Sequence, residues 1–212
     1  MTGVAESTRL VLLRHGQTPL SVDRRYSGRD DVALTELGTD QARKAAARLA
    51  NWPIDAIICS PLQRTRQTAA PLAAATGLPI TVDERLIETD FGRWEGLTFA
   101  EAAALDPELH RAWVGDETVA PPDGESFADT ARRVAQARAA IVEEHPGRTV
   151  VLVSHVTPIK SLLRDAMRVG PELLYGLHLD LASVSLVEYF GTDRSVGRLV
   201  NDTSHLRSYP LA

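Results

Sequence analysis

The sequence predicts an α/β protein, with a mostly parallel central sheet, helices on both faces and one antiparallel strand at the edge. Three observations carry that prediction. Short apolar runs at Arg9-Leu10-Val11-Leu12-Leu13, Ala56 to Cys59 and Thr149 to Val153 alternate with longer stretches of helical composition. The run Thr149 to Val153 is entirely β-branched or leucine, as a strand covered on both faces requires. Finally, Val184 to Tyr189 and Gly197 to Asn201 flank a Gly/Asp/Arg/Ser turn and read as an edge hairpin.

Taken in order, the first strand covers about Thr8 to Leu13 and stops in Arg14-His15-Gly16. A polar loop, Gln17 to Leu34, follows and carries Arg24, Arg25 and Arg29. Thr35 caps a helix over Glu36 to Ala50, which ends near Asn51-Trp52-Pro53. The strand Ala56 to Cys59 leads into Ser60-Pro61, a cap followed by proline at a first helical position. The helix it opens runs towards Thr76-Gly77. Pro79 to Val82 makes a short strand. Thr98-Phe99-Ala100-Glu101 fits a capping box, and Asp106-Pro107 breaks the helix it starts. Ala120-Pro121-Pro122-Asp123-Gly124 is a loop, Ser126 to Glu144 a long helix, and Thr149 to Val153 the central strand. A helix over about Pro158 to Arg168 precedes the hairpin. Residues 1–212 are expected to form one domain, with a flexible stretch at 1–7 and a cap-like insertion at 85–125 over the site.

Composition narrows the function classes. Of 212 residues, 44% are hydrophobic and 24% charged, enough for a sizeable core without staples. A net charge of -5 argues against a general nucleic-acid or membrane-surface binder. The single cysteine, Cys59, fits a reducing compartment and reads as a buried small hydrophobe. Neither a signal peptide nor a membrane-length apolar stretch is visible, so a cytoplasmic location is expected. Oligomeric state is not encoded visibly; the terminal hairpin offers an edge for a homodimer or is blunted by Arg194 and Arg198.

Three strand ends lead into polar segments: Arg14-His15, Ser60-Pro61-Leu62-Gln63-Arg64 and Ser154-His155. Ligands of open α/β sheets bind outside the carboxyl ends of strands, so these residues should converge. With Glu88, two arginines and two histidines form a phosphoryl-transfer set. The guanidinium groups hold phosphate oxygens with forked donors. One histidine attacks phosphorus, the other donates to the developing charge, and a carboxylic acid protonates the leaving alkoxide. Glu84, Asp90 and Glu95 compete with Glu88 for the acid role. Lone surface or packing roles suit His110, His145, His178 and His205, and no His/Asp/Glu cluster has metal-ligand spacing, so no metal and no cofactor are expected.

The motifs Leu13-Arg14-His15-Gly16-Gln17-Thr18, Leu34-Thr35-Glu36-Leu37-Gly38, Ser60-Pro61-Leu62-Gln63-Arg64-Thr65-Arg66-Gln67-Thr68-Ala69, Glu88 to Gly96 and Val153-Ser154-His155 occur in one order across most of the chain. Together they resemble the histidine phosphatase superfamily, the phosphoglycerate-mutase-like proteins. The resemblance implies their three-layer sandwich and a metal-independent phosphomonoester hydrolase acting on a small-molecule phosphate ester. It implies a phosphohistidine on His15, a phosphate pocket of Arg14, Arg64 and His155, and Glu88 as proton donor. Gln17, Thr18, Ser21, Gly28 and the Val156 backbone are candidate substrate contacts. Ser21 stands where the family often has asparagine, and Val156-Thr157-Pro158 where it usually has glycine.

Asp90-Phe91-Gly92-Arg93-Trp94-Glu95-Gly96-Leu97-Thr98-Phe99, Pro121 to Ser126, Ser154 to Lys160 and Leu177 to Ser183 look most like the α-ribazole phosphatase branch. They are similar to the phosphatase domain of actinobacterial proteins in which it follows a ribonuclease H domain; here the first strand begins almost at residue 1. The implied substrate is α-ribazole 5′-phosphate, with a place in cobalamin biosynthesis. Other sugar or glycolytic phosphates are the alternative. A phosphoglycerate mutase is disfavoured, because the Glu-Arg-His-Tyr-Gly-like segment of mutases is missing after Glu88. A catalytically idle phospholigand binder is the alternative of another class, though such a binder has no use for the acid.

Overall fold

The computed structural model describes residues 7–191 and 194–206. Of the flexible start expected at 1–7, residues 1–6 lie outside the described residues, while Ser7 is tied to Glu188 by a 2.6 Å hydrogen bond. The elements are β1 (Thr8–Arg14), α1 (Pro19–Val22), α2 (Glu36–Leu49), β2 (Ala56–Cys59), α3 (Gln63–Thr76), β3 (Ile80–Val82), α4 (Phe99–Leu105), α5 (Pro107–Gly115), α6 (Phe127–Glu144), β4 (Thr149–Ser154), α7 (Val156–Met167), α8 (Leu173–Gly176), β5 (Val184–Phe190) and β6 (Arg194–Asp202). Single 3₁₀ turns sit at Glu84–Leu86, Gly92–Trp94 and Ser204–Leu206.

The sheet order is β3-β2-β4-β1-β5-β6, parallel from β3 to β1. This is the mostly parallel, helix-covered architecture the sequence predicts. The strand running against the others is β5, which pairs antiparallel with both β1 and β6. The apolar face of β5 is buried, so it lies one place in; β6, with Arg194, Val196 and Arg198 exposed, takes the outer edge.

Two-residue alternation divides the core. Leu10, Leu12, Val150 and Leu152 pack under α6 and α7, while Val11, Leu13, Val151 and Val153 pack under α2 and α3. All eight side chains are fully buried, which is why β1 and β4 read as unbroken apolar runs. Truncating any of these leucines to alanine should cost about 2–5 kcal/mol. A third cluster, Phe91, Trp94, Ala102, Trp113, Phe127 and Leu174, joins the segment between β3 and α6 to α8. Helix α2 comes close to the chain after β1 because Gly38 has no side chain; a Cβ there would lie 2.1 Å from Gln17 O.

Several boundaries differ from the sequence expectation. The Ser60-Pro61 pair does not open α3, which starts at Gln63 with Leu62 in the cap position. The Ser60 hydroxyl is instead engaged by His155 Nε2 at 2.7 Å, and the turn is closed by the Thr65 hydroxyl donating to Leu62 O. The polar loop Gln17 to Leu34 contains a one-turn helix, α1, capped by Thr18 with Pro19 at its first position. Pro107 ends α4 and is also the first residue of α5. Helix α7 begins two residues before Pro158, because proline in a first turn lacks only an N–H that would have no helical partner.

Candidate active site

Strand register brings the distant motifs level. Arg14 pairs with Ser154 across β1 and β4, and Cys59 with Val153 across β2 and β4. The backbone N–H of His15 donates to Ser154 O at 3.1 Å, and that of Ser60 to Val153 O at 3.0 Å. The chain passes from β1 to β2 with β4 inserted between them, so this is a topological switch point where an open sheet forms a crevice.

The two histidine rings lie 5.2 Å apart between centroids, both buried. His15 Nδ1 is 2.8 Å from Gly16 O, an acceptor, so that nitrogen carries the proton and Nε2 keeps its lone pair. Burial, reinforced by the charges of Arg14 and Arg64, holds the His15 imidazole well below its usual pKa and therefore neutral. His155 is likewise neutral, through burial and then Arg64. Arg64 Nε donates to His155 Nδ1 at 3.2 Å, which leaves His155 Nε2–H to donate to Ser60 Oγ.

Arg64 is fully buried, and its guanidinium is anchored by backbone carbonyls: Asp30 O at 2.6 Å, Ser27 O at 2.9 Å and Gly28 O at 3.0 Å. Arg14 is less committed. It donates to Leu179 O, but its Nε is buried with no hydrogen-bond partner among the described residues, and burial lowers its pKa to about 10. A buried guanidinium with an unmatched donor has the chemistry to take an anion's oxygens. Glu88 is buried and its carboxylate is pinned by Thr89 N–H at 2.8 Å and Thr157 N–H at 3.3 Å, the latter from the first turn of α7.

These groups meet at a cavity of about 610 Å³. Arg14, His15, Thr18, Ser21, Glu88, Val156 and Thr157 line it, whereas Arg64 and His155 stand behind the wall. Of the four carboxylates that competed in sequence, Glu88 reaches this cavity. Glu95 is turned to the Gly28, Arg29 and Phe91 N–H groups, Asp90 faces Arg29, and Glu84 is exposed.

Gln17 and Gly28 are not in the lining. Gln17 Oε1 accepts from Thr35, and Gly28 packs where a Cβ would lie 2.1 Å from Thr89 O. Ser21 lines the cavity, but its hydroxyl donates to Thr18 O and accepts the Thr18 N–H, both bonds serving the α1 cap. Cys59 is buried, with its thiol pushed up to about 11. Among the described residues, no three His, Cys, Asp or Glu side chains gather as a metal site.

Other lining residues were not singled out as site residues in the sequence, although Phe91, Phe99, Lys160 and His178 fall within its quoted motifs. Tyr26, Phe91, Phe99, Trp113, Phe127 and Tyr175 form an aromatic wall, and Arg24, Arg25, Lys160 and His178 add cationic or titratable groups. Behind Glu88, Arg133 of α6 donates to Ile87 O at 2.6 Å and Glu88 O at 3.0 Å while paired with Glu125. Nothing in the composition of α6 distinguishes Arg133 from its neighbour Arg132, which points to Asp129 on the surface.

Residues 10–202 match the histidine phosphatase superfamily (branch 1). The chain is 55% identical over 200 residues to the bifunctional protein Rv2228c of Mycobacterium tuberculosis H37Rv, covering 94% of this chain and 55% of that protein. It thus spans little more than half the length of that relative. Identity to the glucosyl-3-phosphoglycerate phosphatase of the same organism is 44% over 155 residues, 69% of this chain and 70% of that protein. An Escherichia coli K-12 structure proposed as an alpha-ribazole-5'-P phosphatase superposes with a TM-score of 0.83 at 28% identity, over 92% of this chain and 96% of that one. Among the described residues, no helix is long and apolar enough to cross a membrane.

Proposed function

The chain belongs to the histidine phosphatase superfamily, and we propose that it is a phosphomonoester hydrolase working through a phosphohistidine on His15. The observation that carries this reading is the fixed tautomer of His15: Nδ1–H bound to Gly16 O, Nε2 unprotonated, in a ring that lines the cavity beside Arg14 and Glu88. Arg14 takes the phosphate oxygens with the guanidinium edge that carries its unpartnered Nε. Arg64 adds positive charge from behind and fixes the His155 ring.

In the first step Nε2 attacks phosphorus, the P–N bond forms as the ester P–O bond breaks, and Glu88 gives its proton to the departing alkoxide. In the second step the Glu88 carboxylate takes a proton from water, whose oxygen attacks phosphorus and releases inorganic phosphate from His15. His155 steadies the transferring group once its bond to Ser60 is exchanged for one to phosphate. Both steps use groups of this chain and require no metal.

The substrate we infer is a small organic phosphate of the α-ribazole 5′-phosphate kind. The motif pattern and the likeness to the E. coli protein support it, and a role in cobalamin biosynthesis would follow. A second reading is a substrate whose alcohol carries a carboxylate, favoured by Arg24, Arg25 and Lys160 in the lining and by the 44% identity to the glucosyl-3-phosphoglycerate phosphatase.

The test is phosphate release in EDTA from α-ribazole 5′-phosphate, glucosyl-3-phosphoglycerate, 3-phosphoglycerate and a simple aryl phosphate. Preference for the first supports the α-ribazole reading, and preference for either phosphoglycerate selects the second. Turnover of none, or turnover only with added metal, contradicts the proposed chemistry.

A further inference from the structure

Beyond the phosphate pocket, the cavity continues along a wall of aromatic side chains that the reaction itself does not use. Phe99 of α4 and Tyr175 of α8 stand on this wall and are 54% and 50% exposed. Each is backed by rings. Phe99 meets His110 edge-on at 4.4 Å, and Tyr175 meets Trp113 and Phe127 edge-on at 6.4 and 6.3 Å. Large aromatic faces left open inside a concave site are costly unless something covers them.

The lining also holds unmet polar capacity. Three buried side-chain atoms of cavity residues, Arg14 Nε, Ser27 Oγ and Trp113 Nε1, lack a hydrogen-bond partner among the described residues. Arg14 marks the phosphate end and Trp113 the aromatic end. Unmatched donors are rare in folded proteins and concentrate where a ligand completes the hydrogen bonding.

We propose that this wall is the leaving-group subsite, and that it selects phosphate monoesters whose alcohol carries a planar aromatic ring, with Phe99 and Tyr175 as the specificity-determining residues. The inference rests on the hydrolase reading above and adds to it the part of the substrate that is not phosphate. A ring seated against Phe99 and Tyr175 gains stacking or edge contacts and removes their exposed faces from water, while an aliphatic or fully hydroxylated alcohol gains little there.

Propyl phosphate and 3-phenylpropyl phosphate test this, because their alcohols are similar leaving groups and differ in the ring. The ratio of kcat/KM, phenylpropyl over propyl, is expected to be about tenfold or more in the wild-type protein, as stacking contacts of this kind contribute. It should fall towards one in Phe99→Ala and Tyr175→Ala, mainly through KM. A ratio is insensitive to the amount of folded enzyme, so partial misfolding of a variant cannot mimic the result. A wild-type ratio near one, with both esters turned over, overturns the subsite and leaves the hydrolase reading standing. A high ratio that survives both substitutions removes Phe99 and Tyr175 as its cause and overturns the assignment. Turnover of neither ester overturns the hydrolase reading, and the subsite with it.

Discussion

His15 can attack phosphorus only as the neutral imidazole, and burial beside Arg14 and Arg64 keeps it neutral well below the usual pKa of 6.5. Activity should therefore not be lost on crossing pH 6.5 from above; kcat/KM that halves near 6.5 and tracks a single protonation would contradict that environment. His15→Ala should leave folding intact and lower phosphate release at least ~1,000-fold, since no neighbouring group offers an equivalent lone pair. Retained release would remove His15 as the nucleophile. Glu88→Gln keeps the shape and the hydrogen bonds from Thr89 and Thr157 but has no acidic proton. It should slow alkyl esters roughly 100–10,000-fold and aryl esters much less, because an aryl oxide leaves without full protonation. Equal losses on both would argue that Glu88 is not the acid.

At the scale of elements, strands β1, β2 and β4 were legible because each is a buried apolar run ending in chemistry-bearing residues, and the convergence of Arg14, His15 and His155 follows from their register, whereas Glu88 is brought in by the loop after β3 and held by the Thr89 and Thr157 N–H groups. What composition could not show was local or tertiary. Helix α1 is a single turn, too short for periodicity, and α5 follows directly on α4 through Pro107. The Ser60-Pro61 pair mimics a helix start, yet tertiary contact with His155 claims the serine hydroxyl. Arg133 illustrates the same limit, as its carbonyl partners lie 45 to 48 residues upstream. Removing it in Arg133→Met leaves Glu125 with the longer contacts from Arg29 and the Asp90 N–H, and frees the Ile87 and Glu88 carbonyls. A loss of about 1–3 kcal/mol in unfolding free energy is expected from the lost hydrogen bonds. Because Arg133 positions Glu88 without touching substrate, kcat for alkyl esters should fall while inhibition by inorganic phosphate stays unchanged. A parallel loss of phosphate affinity would show instead that the pocket as a whole has collapsed.

For the whole molecule, the charges that make the site also tie stability to pH. His15 and His155 are neutral when folded but take up protons near pH 6.5 when unfolded, so the unfolded chain binds more protons below that pH. Stability is then fully present above 6.5 and declines as pH falls, by about 1.4 kcal/mol per pH unit for each histidine until the folded value is reached. Burial lowers His110 and His205 in the same direction. Thermal unfolding between pH 7.5 and 5.5 should therefore show a falling Tm, and a flat profile would contradict the buried, uncharged histidine pair. The net charge of -5 is not at odds with an anionic substrate, because the positive charge is local: Arg14 and Arg64 are drawn to the sheet's carboxyl end, away from the acidic surface. The claim on which everything else depends is the covalent phosphate on His15. Rapid quenching of the wild-type protein during turnover into alkali, followed by intact mass and peptide mapping, tests it directly. A phosphate adduct that is stable in alkali, labile in acid, mapped to His15 and missing from His15→Ala is the expected result. Turnover with no such adduct at any quench time, or an adduct on another residue, would contradict it.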